Sequence, residues 1–197
     1  ALESGCTQED VFRLVKEIRK QSEVPIVFYT YYNLIFSQGI EDYVIRSLDA
    51  GVDGLLTLDL PPEEAGELLD ASTEHGMKNV FIIAPTTPED RIPLVVENAS
   101  GFVYYVSREG VTGERKDLAG DLDQRVQNIR RHSSLPVVVG FGISTASQVH
   151  SVGQVADGVV VGSALVNCIS ENLSSPEQIP GAIGARARGL VEGLARG

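Results

Sequence analysis

The sequence predicts an α/β protein of the (β/α)-barrel type, and three observations lead to that prediction. Short runs rich in Val, Ile and Leu alternate with segments of helical periodicity, which is typical of parallel strands joined by helices. A glycine turn follows each of the last two strands, at residues 140–142 and at Gly162. The first strand lacks the glycine fingerprint of a dinucleotide-binding domain, which disfavours the alternative, an open doubly wound sheet.

The length and composition predict one soluble globular domain over residues 1–197. Of the 197 residues, 43% are hydrophobic and 22% are charged, and no apolar run reaches the length that spans a bilayer. The net charge of −11 argues against nucleic acid and anionic membranes as partners. Cys6 and Cys168 are too few for a disulfide scaffold and lack metal-ligand spacing, which favours a cytoplasmic location, or a plastid in a plant or alga.

In the first half of the chain, helices and strands alternate from the start. Apolar residues at helical spacing predict a helix over residues 8–19, and Thr7 is placed to cap it. Three runs rich in β-branched and aromatic residues predict strands. These runs cover residues 25–31, 54–59 and 79–84. Three further helices are predicted over residues 40–50, 62–75 and 88–98. Gly51 and Gly76 follow the first two of these, as helix C-termini favour.

The second half continues the alternation with a strand at 102–106, a long polar loop at 107–120 and a helix at 122–132. Apolar runs at 137–139 and 158–161 predict strands buried on both faces. Ser144 or Thr145 is placed to cap the helix after the first glycine turn. The tail after Ser163 is predicted to be helical, with breaks at 174–176 and 180–181.

The number of units predicts an incomplete barrel. A TIM (β/α)8 barrel has eight strand–helix units and about 250 residues. This sequence gives an initial helix and six units, so we expect a TIM barrel that lacks about its first two β/α units. Such a chain would expose two strand edges, which invite pairing with another chain.

The two glycine turns also predict a binding site. Parallel neighbouring strands deliver both turns, and the helices that follow them, to one edge of the sheet. Backbone N–H groups at helix N-termini bind phosphate, and the last two strands of a barrel commonly supply such a site. Glycine lets the backbone approach the phosphate oxygens closely. Glycine turns also end strands for steric reasons alone, so that alternative stays open here.

Five motifs, in order, carry a resemblance to a known family. They are Tyr31-Tyr32-Asn33-Leu34-Ile35-Phe36, Asp59-Leu60-Pro61, Ser107-Arg108-Glu109-Gly110-Val111-Thr112-Gly113, Gly140-Phe141-Gly142-Ile143-Ser144 and Gly162-Ser163-Ala164. With these motifs the chain resembles the α subunit of tryptophan synthase. The match runs along nearly the whole chain and weakens after about Asn172.

The resemblance implies a TIM-barrel lyase of tryptophan biosynthesis that cleaves indole-3-glycerol phosphate to indole and glyceraldehyde 3-phosphate. It implies a β-subunit partner in an α2β2 heterotetramer, with pyridoxal phosphate in that partner and no cofactor in this chain. Two other functions stay open. One is another phosphate-binding barrel enzyme of amino-acid or thiamine biosynthesis, and the other is a non-catalytic ligand-binding subunit that activates a β partner.

The resemblance assigns binding residues by position. The phosphate would lie on the backbone of Gly113, Gly142, Gly162 and Ser163. The indole pocket would be lined by Tyr29, Leu56, Leu58, Ile83 and Phe141. Family members usually carry an aliphatic residue in place of Tyr29.

Two further residues are expected to support catalysis. Alternation along the strand at 102–106 places Tyr104 and Tyr105 on opposite faces. The resemblance makes Tyr104 the inward one, near the catalytic Glu, and it makes Thr112 a partner of the catalytic Asp when the loop closes. That Glu and that Asp belong before Ala1 in the family's order, so we expect the chain to lack both and to have no lyase activity by itself.

The remaining candidates concern the partner and a metal. Asp59 ends a strand, where catalytic acids of barrels lie, but the resemblance instead places Asn33, Asp59 and Pro61 at the β-subunit interface. The three histidines have no ligand spacing, so no metal site is predicted.

Overall fold

The computed structural model describes residues 5–107, 116–140 and 142–194, with residues 116–120 described by their backbone alone. The described residues form six β-strands and nine α-helices, and the strands are numbered β1 to β6 in chain order. The strand pairings described below are parallel. The chain divides into two compact units, one of Ala1–Phe81 with Glu97–Gly101 and one of Ile82–Val96 with Phe102–Gly197.

The helices and strands alternate as the sequence predicts. The first unit holds α1 (Gln8–Arg19), β1 (Val27–Thr30), α2 (Tyr32–Phe36), α3 (Ile40–Ala50), β2 (Gly54–Thr57), α4 (Gly66–His75) and the first residues of β3 (Lys78–Ile83). The second unit holds most of α5 (Ile92–Asn98), then β4 (Val103–Val106), α6 (Lys116–His132), β5 (Val137–Gly140), α7 (Ala146–Gly153), β6 (Gly158–Val160), α8 (Ser163–Glu171) and α9 (Ile179–Val191).

In the first unit, aromatic rings fix which face of β1 meets the helices. The Phe28 ring lies 5.6 Å from the Phe12 ring of α1, which in turn lies 5.6 Å from the Tyr43 ring of α3. Because side chains alternate along a strand, Tyr29 lies on the opposite face. Its side chain is 62% exposed. Tyr29 pairs directly with Leu56 of β2, so the two share that face.

In the second unit, burial alternates along β4 and β5. Val103 and Tyr105 of β4 are buried, as are Val137 and Val139 of β5. On the other face, Tyr104, Val106 and Val138 are half-buried. The predicted separation of Tyr104 from Tyr105 is therefore confirmed, with Tyr105 on the more deeply buried face.

Each unit uses the same arrangement to join the starts of two neighbouring strands, and we call it the Asp clasp. Asp53, just before β2, accepts a hydrogen bond from the Ile26 N–H at 2.7 Å and pairs with Arg19 at 2.6 Å. Asp157, just before β6, accepts one from the Val137 N–H at 2.8 Å and pairs with Arg130 at 2.9 Å. In both, the backbone N–H of the aspartate donates a hydrogen bond in return: that of Asp53 to the Ile26 carbonyl oxygen, and that of Asp157 to the Val137 carbonyl oxygen.

Several predicted boundaries hold. Helix α1 covers the predicted residues, and Thr7 caps it in a capping box with Asp10. Helix α3 ends at Gly51, whose φ of 99° suits glycine. Thr145, one of the two candidates, caps α7.

Other boundaries differ from the prediction. The short helix α2 was not predicted, because its five residues are too few to show a helical period. Helix α6 begins at Lys116, inside the predicted loop. Helix α9 runs through Pro180 and Gly181 without a break, since Pro180 lies in its first turn, where the missing N–H costs nothing.

The two helices predicted over residues 62–75 and 88–98 each begin with a 3₁₀ turn, at Pro62–Glu64 and Glu89–Arg91. Across the part of the chain that the structure describes, no helix combines the length and the apolar character needed to cross a membrane.

Candidate functional site

The two predicted glycine turns leave one sheet edge of the second unit side by side. Gly140 of β5 pairs directly with Val160 of β6. Gly142 and Gly162 each follow two residues after that pair. Neighbouring strands lie about 4.8 Å apart, so the register places the two turns next to each other. The register therefore places two of the predicted phosphate residues, Gly142 and Gly162, beyond the same edge of the sheet, with Ser163 next to the second in sequence.

The two turn glycines serve different purposes. Gly142 has a φ of 71°, a conformation that side chains other than glycine rarely adopt. Gly162 is exposed, and among the described residues no atom beyond its chain neighbours lies within 4 Å of the place that a Cβ would take. Gly142 is thus required by the backbone conformation, whereas Gly162 leaves the surface at the start of α8 open.

The N-termini of the helices behind the turns differ in their capping. At α7, Thr145 accepts a hydrogen bond from the Gln148 N–H. The Gln148 side chain in turn accepts from the N–H groups of Ser144 at 2.8 Å and Thr145 at 3.1 Å. At α8, no side chain within the described residues caps the helix. The first amides of α8 are therefore the better donors for an anion.

Gln148 closes the N-terminus of α7 from within the chain, so the N–H groups of Ser144 and Thr145 already have a partner. This role of Gln148 was not predicted from the sequence. The spacing Thr145-x-x-Gln148 is that of a capping box and could have indicated it.

Tyr104 lies against Gly140, the residue at which β5 ends and the first glycine turn begins. A Cβ added to Gly140 would lie 2.7 Å from the Tyr104 hydroxyl oxygen and 2.7 Å from Cβ of Val160. Because Gly140 has no side chain, the Tyr104 ring can occupy this position on the sheet without a steric clash. This role of Gly140 was not predicted, although the position belongs to the predicted turn.

Three of the predicted indole-pocket residues share one face of the first unit. Tyr29 pairs with Leu56, and Leu58 lies two residues further on, where its N–H donates to the Thr30 carbonyl at 2.9 Å. Leu56 is buried, Leu58 is half-buried and Tyr29 is exposed. Partial burial raises the pKa of the Tyr29 hydroxyl, with a smaller effect from Tyr31. Ile83 is buried and belongs to the second unit.

Two of the predicted interface residues, Asn33 and Asp59, lie just beyond the ends of β1 and β2, and Pro61 follows Asp59 by two residues. One Asp59 carboxylate oxygen accepts a hydrogen bond from the Tyr32 N–H at 2.7 Å. Tyr32 begins α2, and the N-cap residue of that helix, Tyr31, makes no side-chain cap hydrogen bond. Asp59 therefore caps α2 from the neighbouring loop. That contact brings Asp59 close to Asn33, which is exposed on α2.

The same segment carries exposed apolar side chains, which were not predicted as such. Tyr31, Leu34 and Phe36 are all exposed, and we call this exposed apolar segment the α2 surface. Phe36 is 64% exposed, and its ring lies 5.9 Å from the Tyr32 ring. The run of aromatic and aliphatic residues from 31 to 36 could have indicated this surface.

Comparison with known proteins identifies the family. The family model described as tryptophan synthase alpha chain matches residues 1–193. The chain belongs to the tryptophan synthase alpha chain family. This confirms the resemblance drawn from the five motifs, and it places the chain among the lyases of tryptophan biosynthesis.

Individual relatives agree. The tryptophan synthase alpha chain of Opitutus terrae is 61% identical over 196 residues, which cover 100% of this chain and 74% of the relative. That of Geobacter sp. (strain M21) is 45% identical over 195 residues, which cover 98% of this chain and 73% of the relative.

A solved structure gives the same result for the fold. A chain of the tryptophan synthase a2b2 complex from Pyrococcus furiosus superimposes with a TM-score of 0.86 at 36% identity. The match covers 97% of this chain and 76% of that chain. The predicted fold class is thus confirmed, and the six parallel strands and their helices correspond to part of the TIM barrel of the tryptophan synthase alpha family.

Three predicted site residues of this family member fall outside the described residues. They are Thr112, Gly113 and Phe141. Their predicted roles, in loop closure, phosphate binding and the indole pocket, stay predictions.

One group of side chains has the composition of a metal site. Single ligand atoms of Glu41, Glu74 and His75 lie within 4.8 Å of one another in the first unit. The His75 Nε2 atom lies 3.3 Å from a Glu41 carboxylate oxygen. Both glutamates are exposed, and a histidine–carboxylate pair accounts for the cluster.

Proposed function

We propose that the chain binds indole-3-glycerol phosphate and provides the phosphate and indole contacts for its cleavage to indole and glyceraldehyde 3-phosphate. The observation that carries this proposal is the pair of glycine turns, Gly142 and Gly162, which follow directly paired strand residues. Membership of the tryptophan synthase alpha chain family supplies the reaction class.

In this proposal the phosphate lies against the start of α8. The amides of Gly162 and Ser163 would donate to its oxygens, together with those of Gly142 and Gly113. The N-terminus of α8, which no described side chain caps, supports this arrangement, because helix-start amides and the helix dipole both favour a dianion. The net charge of −11 opposes anion binding at long range, so the local donors must supply the affinity.

The proton movements of the reaction must balance. Indole C3 gains a proton while the indole N–H loses one. The glycerol 3′-hydroxyl is then deprotonated as the carbon–carbon bond breaks, and the electron pair of that bond returns to the ring, where the nitrogen regains its proton. Two carboxyl groups in fixed positions can carry these steps, and each such acid or base contributes roughly 10²–10⁴-fold. Phosphate binding is remote from the bond that breaks, so its role is to hold the substrate in the reactive pose.

We also propose that residues 1–197 do not include the family's two catalytic carboxylates. Asp59 follows the end of β2, the position in which barrel enzymes carry catalytic acids. Its carboxylate already accepts the Tyr32 N–H, which supports a role in capping α2. Tyr104 and Thr112 would then act beside groups that this sequence does not contain.

We further propose a β-subunit partner, which would hold the pyridoxal phosphate, while this chain holds no cofactor. The related Pyrococcus furiosus structure is an a2b2 complex. Asn33, Asp59 and Pro61 would contact the partner together with the α2 surface. A cytoplasmic location, or a plastid in a plant or alga, accords with this function.

Substitution of Gly162 tests the phosphate site. Gly162→Asp should weaken binding of glycerol 3-phosphate by more than about tenfold, because the new carboxylate repels the dianion and caps the α8 amides itself. Gly162→Ala is the matched control, since its Cβ meets open space and carries no charge. Isothermal titration calorimetry of the wild-type chain and both variants provides the measurement.

Aspartate is a favourable N-cap, so Gly162→Asp should keep or raise the thermal stability while affinity falls. A lower affinity therefore cannot be attributed to unfolding. Equal affinity of the aspartate and alanine variants for glycerol 3-phosphate would remove the phosphate assignment.

A further inference from the structure

An arginine from α9 contacts the segment that carries the first glycine turn. The Arg186 guanidinium donates a hydrogen bond to the Ser144 carbonyl oxygen at 2.9 Å. Ser144 lies two residues after Gly142, and all three residues belong to the second unit. The contact joins positions 42 residues apart, so it ties α9 to the turn between β5 and α7.

The contact completes a set of bonds around Ser144. Its N–H donates to the Gln148 side chain at 2.8 Å, and its hydroxyl lies 3.3 Å from the same oxygen. Its carbonyl oxygen accepts from Arg186. Gln148 thus holds Ser144 from α7, and Arg186 holds it from α9. The turn at Gly142, with its φ of 71°, is anchored at this residue.

Arg186 also places a positive charge beside that turn. A guanidinium is always charged at physiological pH, and a hydrogen bond from a charged donor is stronger than one from a neutral donor. The chain as a whole carries a net charge of −11. A cation fixed next to the turn offsets the repulsion that this net charge imposes on an anionic ligand.

We propose that Arg186 is a positioning residue of the phosphate site, which fixes the Gly142 turn through Ser144 and raises its affinity for a phosphate dianion. The inference rests on the proposed function, since it takes phosphate to be the ligand of the turn. Arg186 acts through Ser144 and through its charge, not by contact with the reacting atoms.

Arg188 provides a matched control. It lies on the same helix, is exposed like Arg186 and carries the same charge. Its guanidinium lies near Gly184 of its own helix. Removal of Arg188 changes the net charge by the same amount as removal of Arg186 but leaves the bond to Ser144 in place.

The experiment measures binding of glycerol 3-phosphate and of indole to four forms of the 197-residue chain by calorimetry. These are the wild type, Arg186→Ala, Arg186→Lys and Arg188→Ala. We expect Arg186→Ala to weaken glycerol 3-phosphate binding by roughly three- to tenfold and Arg188→Ala by less than about twofold, because a charge acts strongly only at short range. Indole, which has no phosphate, should bind all four forms equally.

Arg186→Lys keeps the charge and a donor, so it should recover part of the lost affinity. The proposal is overturned if Arg186→Ala binds glycerol 3-phosphate like Arg188→Ala, if lysine recovers nothing, or if indole affinity falls in parallel, which would indicate a general structural defect.

The two proposals fail in different ways. If the wild-type chain and Gly162→Asp bind glycerol 3-phosphate with the same affinity, the phosphate site itself is wrong. If Gly162→Asp loses affinity while Arg186→Ala keeps it, the phosphate site stands and the role of Arg186 is rejected.

Discussion

Three glycines at one sheet edge illustrate how a single residue type meets three different physical requirements. Gly140 makes room for the Tyr104 ring and for Val160. Gly142 takes a positive φ. Gly162 leaves open surface at the start of α8. Substitutions at these positions should therefore have different consequences, even though the sequence presents them as one pattern.

Gly140→Ala should destabilise the protein by about 1–3 kcal/mol, the cost of forcing an extra methyl group into a packed site. The added Cβ would lie 2.7 Å from both the Tyr104 hydroxyl oxygen and Cβ of Val160, so a neighbour must shift. Gly162→Ala should change the free energy of unfolding by less than about 0.5 kcal/mol, as surface substitutions usually do. Urea denaturation of both variants measures the difference.

Tyr104→Phe combined with Gly140→Ala should recover only part of the lost stability, because the contact with Val160 remains. A Gly140→Ala variant as stable as the wild type would show that the Tyr104 ring does not need the space above Gly140.

At the scale of elements, the Asp clasp joins a helix end to the starts of two strands, and it occurs once in each unit. The helix supplies the arginine, Arg19 or Arg130, and the strand start supplies the N–H group, from Ile26 or Val137. The repeat is visible in the sequence, because segments 51–56 and 155–160 are similar and both contain Asp-Gly. Each clasp sets the register of two neighbouring strands at their N-terminal ends.

The clasp at Asp157 should make stability depend on pH. The pKa of Asp157 lies below its ordinary value, chiefly because its carboxylate accepts the Val137 N–H. Burial opposes this effect, and the hydrogen bond and charge of Arg130 lower the pKa further. A carboxyl group whose pKa is lowered by folding stabilises the folded state above its unfolded pKa of about 3.9, and this contribution is lost as the pH falls through the folded pKa. Asp157→Asn should therefore be less stable than the wild type at pH 7.

The loss should be under about 1 kcal/mol, because solvent screens this half-exposed ion pair. The stability gap between wild type and Asp157→Asn should shrink as the pH falls below the ordinary aspartate range. Urea denaturation at pH 7 and at several acidic pH values measures it. A gap that stays constant across this range would mean that the charge of Asp157 contributes nothing.

At the scale of the whole molecule, the α2 surface is an exposed apolar group on a strongly acidic protein. Exposed apolar surface is a feature of many sites for protein partners. Asp59 fixes the start of α2 through the Tyr32 N–H, so the helix that carries Phe36 is held in place before any partner binds. This accords with the proposed β-subunit contact.

Phe36→Glu and Pro61→Glu should abolish co-purification with a tryptophan synthase β subunit from the same organism, since each places a charge within the proposed contact. Val24→Glu is the control, because Val24 is also apolar and 57% exposed but lies before β1, at the opposite end of that strand. Circular dichroism checks that all three variants fold. Normal complex formation by both Phe36→Glu and Pro61→Glu would exclude this surface as the partner site.

Much of the fold could be predicted from local sequence. Helix α1 was predicted to the residue, because its apolar spacing, its Thr7 cap and its basic last turn agree. The alternation of Tyr104 and Tyr105 followed from strand geometry. The start of α6 and the continuity of α9 through Pro180 were predicted wrongly, since polar helical residues and a first-turn proline are also typical of loops.

The sequence by itself determined the succession of strands and helices, the two glycine turns and the family, because periodicity, capping and motifs are local properties of a chain. The tertiary structure decided what each position does. Only the fold shows that Asp59 caps α2 from another loop and that Arg186 reaches Ser144. The physical reason is that such bonds join residues whose proximity depends on strand register and helix packing. Neither of these can be read from a short stretch of sequence.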